Sequence, residues 1–224
     1  TVPLLAVRLA EALTTAGLPA GVLNLVVGDG AVGEALVAHP AIDAITFTGS
    51  TGVGRRIAAT AAARGVPVQA EMGGKNAAVV LDDADFDLAL DQVMLGAFRS
   101  TGQKCTATSR LIVTDPIADR FVQALTERAP VLVVGDPLDD ATQMGPVISD
   151  AAQAGITAGI RAAVAQGGSV LTGGGPYAEG LLAEGYFIAP TVVELTQPAD
   201  IWTEELFGPV LAVRRADDAD HAFA

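Results

Sequence analysis

The sequence predicts an α/β fold: part of a doubly wound parallel sheet, followed by a second α/β domain. Three observations point there. Short apolar, β-branched runs alternate with amphipathic stretches of helical period. Glycine-rich turns separate them, as at Gly28-Asp-Gly30-Ala-Val-Gly33 and Thr48-Gly-Ser-Thr-Gly-Val-Gly54. Half of the 224 residues are hydrophobic but only 4% are aromatic, a composition suited to a core closed by small side chains and near backbone approach. Strand, glycine turn and helix in repetition are the mark of parallel sheets with helical crossovers.

In chain order, residues 4–16 form a helix with Leu5, Leu9, Ala12 and Leu13 on one face, stopped by Gly17 and Pro19. Val22–Val27 reads as a buried strand, and a short helix follows Gly33 to about Val37. Ile42–Phe47 is the next strand, and Gly49–Gly54 leads into a helix through about Ala63. Val66–Met72 and Asn76–Leu81 are strands on either side of Gly73-Gly74, which marks a joint between domains 1–73 and 74–224. Leu90, Val93, Met94, Ala97 and Phe98 set a helix from about Asp85, with acidic residues at its positive end. Then come strand Arg110–Val113, helix Ile117–Thr126, apolar run Val131–Val134 and an Ala-rich helix over 151–166. Val170-Leu171, Phe187–Leu195 and Pro209–Arg214 complete the strands.

The net charge is −13, from 13 basic and 26 acidic residues, which argues against nucleic acid because phosphates need a basic footprint. The acids are spread through Asp82-Asp83, Asp139-Asp140 and Asp217-Asp218-Ala219-Asp220, as solvated loops and helix starts are. Two histidines leave little scope for a Ser-His-Asp triad or a His-rich metal site. A single cysteine excludes an internal disulfide, and charges cut every apolar run short of the roughly 20 residues that span a bilayer. No membrane is expected, and with no signal-peptide pattern the expected compartment is the reducing cytoplasm. The chain lacks an initiating Met, starts just ahead of a helix and stops in what reads as another. It is expected to be a piece of a longer protein, truncated at both ends.

The lone thiol, Cys105, lies in Ser100-Thr-Gly-Gln-Lys-Cys-Thr-Ala-Thr-Ser-Arg110. Small and polar neighbours and the adjacent Lys104 suit a thiolate nucleophile, and an inert thiol fits equally well. Gly28, Gly30 and Gly33 match a dinucleotide fingerprint, yet Asp43, the nominal ribose acid, precedes its strand. A phosphate cradle and a tight turn both remain open there. Gly49, Ser50 and Gly54 sit where helix N–H groups and hydroxyls can meet phosphate, or where Ser50 caps the helix. Glu71 ends an apolar strand, where burial would raise its pKa towards that of a general base; an exposed strand-end carboxylate is the alternative. Glu205 and Phe207, in Glu204-Glu-Leu-Phe-Gly-Pro209, can hold a ribose hydroxyl pair and pack on a flat ring, or simply form a helix end and turn.

Taken together, these stretches resemble the aldehyde dehydrogenase superfamily. Phe47-Thr-Gly-Ser-Thr51 is similar to its cofactor loop, Glu71-Met-Gly-Gly-Lys75 to its glutamate motif, Gly102-Gln-Lys-Cys105 to its nucleophile motif, and Glu204–Pro209 to its nicotinamide-ribose motif. Ala70–Asn76 and Gly102–Arg110 look most like the 2,5-dioxopentanoate (α-ketoglutarate semialdehyde) dehydrogenases of that superfamily. The resemblance implies a cofactor-binding domain followed by a catalytic domain. It implies NAD or NADP as cofactor, a small aldehyde substrate, and a homo-oligomer, dimer or tetramer, in the full-length form. Cys105 would be the nucleophile, with its backbone N–H as an oxyanion donor, and Glu71 the base that activates water. Glu205 would hold the nicotinamide ribose, with Phe207 beside the ring, and Gly49 and Ser50 would meet the phosphates. The Gly28–Gly33 turn would then not be the main pyrophosphate loop. The resemblance also places an oxyanion-hole Asn and a cofactor-binding Lys before Thr1, so the 224-residue piece alone is expected to be inactive or nearly so. Two other readings are a cysteine acyl hydrolase without hydride transfer and an inactive remnant that keeps only the fold.

Overall fold

The structure, a computed structural model, describes residues 2–224. Its chain divides into two compact units, Thr1–Met72 and Gly73–Ala224.

In the first unit, helix α1 (Pro3–Thr15) opens with proline in its first turn, where a missing N–H leaves nothing unpaired. Its leucines stay exposed, Leu4 at 77% and Leu9 at 61%. Helix α2 (Gly30–Ala38) is capped by Asp29, whose carboxylate accepts from the N–H groups of Ala31 and Val32. Strand β1 (Ile45–Gly49), helix α3 (Thr51–Arg64) and strand β2 (Val68–Met72) make one crossover unit. The two strands pair in parallel, Ile45 opposite Val68 and Gly49 opposite Met72. Near the end of α3 the Arg64 guanidinium donates to the carbonyls of Val37, His39 and Ile42. These carbonyls leave α2 without ladder partners, and one cation satisfies all three.

The expected strand over 22–27 does not form. Val22, Leu23, Leu25, Val26 and Val27 lie in irregular, exposed backbone. A strand exists through its ladder partners, and among the described residues the first unit's sheet contains only β1 and β2. Apolar composition alone does not replace that partner.

The second unit is built on five strands: β3 (Asn76–Val80), β4 (Thr108–Thr114), β5 (Ser169–Thr172), β6 (Thr191–Glu194) and β7 (Val210–Ala216). Their order is β3-β4-β7-β6-β5, parallel except for the antiparallel β5–β6 pair at one edge. Helices α4 (Phe86–Phe98), α5 (Asp115–Arg128) and α6 (Asp150–Ala165) join them, and α7 (Ala219–Phe223) ends the chain. Alternation along β7 divides the interior in two. Leu211 and Val213 enter the core made with Phe98 of α4 and Phe121 and Leu125 of α5, while Val210 and Ala212 enter the core made with Ile156 and Ile160 of α6. A strand buried on both faces has to be continuously apolar, as β7 is up to Arg214. The expected strand 187–195 is regular only over Thr191–Glu194. Pro190 has no N–H for the ladder, and Ile188 makes only an isolated bridge to Pro176. Of the run 131–134, only Val134 pairs, in a bridge to Met144.

Candidate active site

The loop that leads to Cys105 starts where α4 stops. Ser100, Thr101 and Gly102 have φ of 55°, 59° and 65°, a left-handed stretch that costs free energy at the two non-glycine residues. Surrounding bonds hold it there. The buried Thr101 hydroxyl donates to the Gly145 carbonyl at 3.1 Å. The Gln103 amide oxygen accepts from the Ile148 N–H at 2.9 Å. At Gly102 a Cβ would lie 2.2 Å from the Gly208 carbonyl oxygen, so the loop and the 207–209 turn meet only because that residue has no side chain.

Cys105 then occupies the corner of a turn closed by the Ala107 N–H donating to the Lys104 carbonyl at 3.0 Å. Its thiol is exposed. The Asn76 side-chain amide donates to the Cys105 carbonyl at 2.6 Å and to the Ala107 carbonyl at 3.1 Å. Among the described residues the Cys105 N–H has no acceptor, so it is free to donate outward.

Around this turn the second unit gathers Gly74, Lys75, Lys104, Ser109, Glu205 and Phe207 in one shallow cleft. The Glu205 carboxylate accepts from the Gly74 N–H at 3.3 Å, and it lies so close to Gly73 that a Cβ there would be 1.8 Å from Oε2. Phe207 is exposed with φ of 52°, a strained backbone that presents the ring to solvent. Arg110 donates to the Lys75 carbonyl at 2.6 Å and lies with its guanidinium 5.4 Å from the Trp202 ring centroid. Burial first and the Arg110 charge second lower the Lys75 pKa to about 8, against the opposing pull of the Glu205 carboxylate.

The first unit carries the other expected residues. Gly49 and Ser50 lead into α3, with Ser50 at the N-cap position and Gly54 buried in the first turns. The Ser50 side chain makes no capping bond, so its hydroxyl and the first N–H groups of the helix are all unspent. Glu71 sits on β2 with its Cα opposite Thr48. It is exposed, the alternative that the sequence leaves open, because only alternate residues of β2 turn inward; its carboxylate accepts from Gln69 at 3.3 Å. The Gly28–Gly33 turn serves as the entrance to α2, with Asp29 as its cap.

Sequence reasoning singles out Cys105, Glu205 and Phe207 but misses Asn76, Gln103 and Arg110, which fix their surroundings. The signal for Asn76 is faint: an amide directly after Gly73-Gly74-Lys75 and at the first position of a strand.

Cys105 at its turn corner and the Glu205 carboxylate on a glycine backbone thus lie in the second unit, and the glycine loop that opens α3 lies in the first. The profile of the aldehyde dehydrogenase family matches residues 1–224, and the chain belongs to that family. It is 44% identical over 209 residues to alpha-ketoglutaric semialdehyde dehydrogenase of Bacillus subtilis, covering 92% of this chain and 43% of that protein. It is also 44% identical over 224 residues to betaine aldehyde dehydrogenase of Brucella ovis, covering 99% of this chain and 46% of that protein. The crystal structure of Staphylococcus aureus betaine aldehyde dehydrogenase in complex with NAD+ superposes with a TM-score of 0.93 at 36% identity, over 97% of this chain and 44% of that one. The chain thus spans less than half the length of these relatives.

Proposed function

We propose that this chain carries the nucleophile and part of the cofactor seat of an NAD(P)+-dependent aldehyde dehydrogenase that converts an aldehyde, within that class a semialdehyde, to its carboxylate. In this reading Thr1–Met72 belongs to the cofactor-binding domain and Gly73–Ala224 to the catalytic domain. The observation that carries it is Cys105: an exposed thiol at a turn whose carbonyls are tied down and whose own N–H is unspent.

The residues present suit a nicotinamide dinucleotide. The free N–H groups at the start of α3, with Gly49, Ser50 and Gly54, fit its phosphates. The Glu205 carboxylate fits a ribose hydroxyl pair, and the exposed Phe207 ring fits against a flat heterocycle. When bound, that cofactor accepts the hydride.

The chain's own residues do the rest. The Cys105 thiolate attacks the carbonyl carbon, forming a C–S bond as the C=O π pair moves to oxygen. The unspent Cys105 N–H donates to that oxyanion. Once hydride has left the carbon, Cys105 carries the acyl group as a thioester. Glu71 takes a proton from water, the hydroxide adds to the thioester carbon, and the C–S bond breaks to return the thiolate and release the acid.

The semialdehyde reading is supported by Ala70–Asn76, by Gly102–Arg110 and by the Bacillus subtilis relative. The equal identity of the Brucella ovis relative supports a second reading, a betaine aldehyde-type substrate. The full-length protein is taken to be a cytoplasmic homo-oligomer, and no helix of the described residues is long and apolar enough to cross a membrane.

The test uses the full-length protein with NAD+ and NADP+ against α-ketoglutarate semialdehyde and betaine aldehyde, followed by absorbance of the reduced nicotinamide. Cys105→Ser is expected to cut turnover by about 10⁴-fold or more. Glu71→Gln is expected to keep a first burst of reduced nicotinamide and to lose steady-state turnover. Oxidation that survives in Cys105→Ser, or ester hydrolysis with no reduced nicotinamide from any aldehyde, would overturn the reading.

A further inference from the structure

We infer that Asn76 is a positioning residue for Cys105, its side-chain amide standing in for strand pairing where the nucleophile turn precedes β4; the inference rests on Cys105 being the nucleophile.

The need for such a residue follows from the ladder. Strands β3 and β4 pair with Asn76 opposite Thr108 and Ala77 opposite Arg110, so Ser109 is left over as a bulge at the first step. Pairing therefore ends at Thr108, and the carbonyls of Cys105 and Ala107 lie beyond its reach. Unpaired carbonyls in a turn leave the turn free to change shape. Asn76 supplies both donors from one group, at 2.6 and 3.1 Å. Because both partners are carbonyl oxygens, the atom facing them has to be the NH2 of the amide and not its oxygen. A carboxylate of the same shape would offer only acceptors there.

The neighbouring bonds make Asn76 a fixed post. The carbonyl just before it, of Lys75, accepts from Arg110 at 2.6 Å, and its own carbonyl accepts from the Ser109 hydroxyl at 3.4 Å. The turn is thus held at three backbone groups: the Cys105 carbonyl, the Ala107 carbonyl and the Ala107 N–H. The groups left free at its corner include the Cys105 thiol and N–H, the two that the proposed chemistry uses, beside the N–H and hydroxyl of Thr106. Loss of the amide frees the peptide after Cys105 to rotate, which moves the thiol relative to whatever it attacks. A displacement near 1 Å is enough to cost about 100-fold in rate.

The experiment compares Asn76→Ala and Asn76→Ser with the wild type, in the full-length protein, by two readouts. One is kcat and KM for aldehyde and NAD(P)+. The other is the rate of iodoacetamide alkylation of the Cys105 peptide against pH without cofactor, followed by mass spectrometry. Asn76→Ala is expected to lower kcat by between about 10- and 100-fold, leave the coenzyme KM within about two-fold, and change the pH profile of Cys105 alkylation. Asn76→Ser keeps one donor and is expected to recover part of both losses. The inference is overturned if a folded Asn76→Ala protein keeps the wild-type alkylation profile, whether kcat is unchanged or falls with a rising coenzyme KM. Should Asn76→Ala not fold, Asn76→Ser decides alone: a wild-type alkylation profile there overturns it. Activity that persists in Cys105→Ser is a different failure, of the nucleophile assignment itself.

Discussion

In Gly73–Ala224, strands β6 and β7 bury side chains on both faces and the helices close two separate cores. Among the described residues of the first unit only Gly54 and Ala61 are buried, and neither α1 nor α2 buries any residue. The two units thus serve two ends. In the second unit side-chain hydrogen bonds beside a packed core hold a loop that is strained at Ser100 and Thr101. The first unit contributes backbone instead: the opening of α3, with its free N–H groups and uncapped Ser50. A strained turn needs a stiff support, whereas a helix N-terminus presents its donors by virtue of being a helix.

The comparison can be broken most directly in the core. Phe121 is fully buried against the α4–α5 side of the sheet, its ring 5.4 Å from that of Phe86 in an edge contact. Phe121→Ala is expected to cost about 3–5 kcal/mol in urea unfolding. A loss under about 1 kcal/mol would mean that the second unit is not the rigid member.

A smaller effect sharpens the electrostatic side. Lys75 has its pKa lowered to about 8 in the fold, chiefly by burial, against 10.5 for the free side chain. Below about 8 both states are protonated and the cost of the buried charge is fully present. Between about 8 and 10.5 the unfolded chain binds more protons, so stability rises with pH across that window. Lys75→Met should therefore stabilise the protein at neutral pH and lose that advantage as pH rises through the window. Equal gains at pH 7 and pH 10 in matched urea titrations would contradict the assignment.

The smallest effect belongs to the first unit. Leu9 is 61% exposed on α1, and Leu9→Ala is expected to change stability by no more than about 0.5 kcal/mol. A penalty like that of Phe121→Ala would erase the contrast.

What the sequence reveals follows the same division. Helix α4 is legible because Leu90, Val93, Met94, Ala97 and Phe98 recur at helical spacing and all five are buried. Strand β7 is legible because burial on both faces makes it continuously apolar. The run 22–27 has the same look yet forms no strand, because pairing depends on residues elsewhere in the chain and leaves no mark on the run itself. Among site residues, Cys105 is conspicuous as the lone cysteine, and Glu205 and Phe207 through their motif. Asn76 is not, because its role arises from a bulge that shifts the ladder by one residue, and a bulge has no composition of its own. Glu71 is legible as an acid at a strand end, and its exposure follows from the period-two alternation of Val68-Gln69-Ala70-Glu71.

Ser100 is exposed, and by position alone would count among the places where selection is relaxed. Its backbone argues the opposite. With φ of 55° there and 59° at Thr101, the loop before Cys105 constrains residue choice through chain geometry and not through contact. Glycine or asparagine would sit there at ease, while valine or isoleucine would push the turn back towards the right-handed basin and carry Gly102 away from the Gly208 carbonyl. Drift at this surface is therefore confined to a short alphabet, and the narrowness is inherited from the shape of the main chain five residues before the thiol.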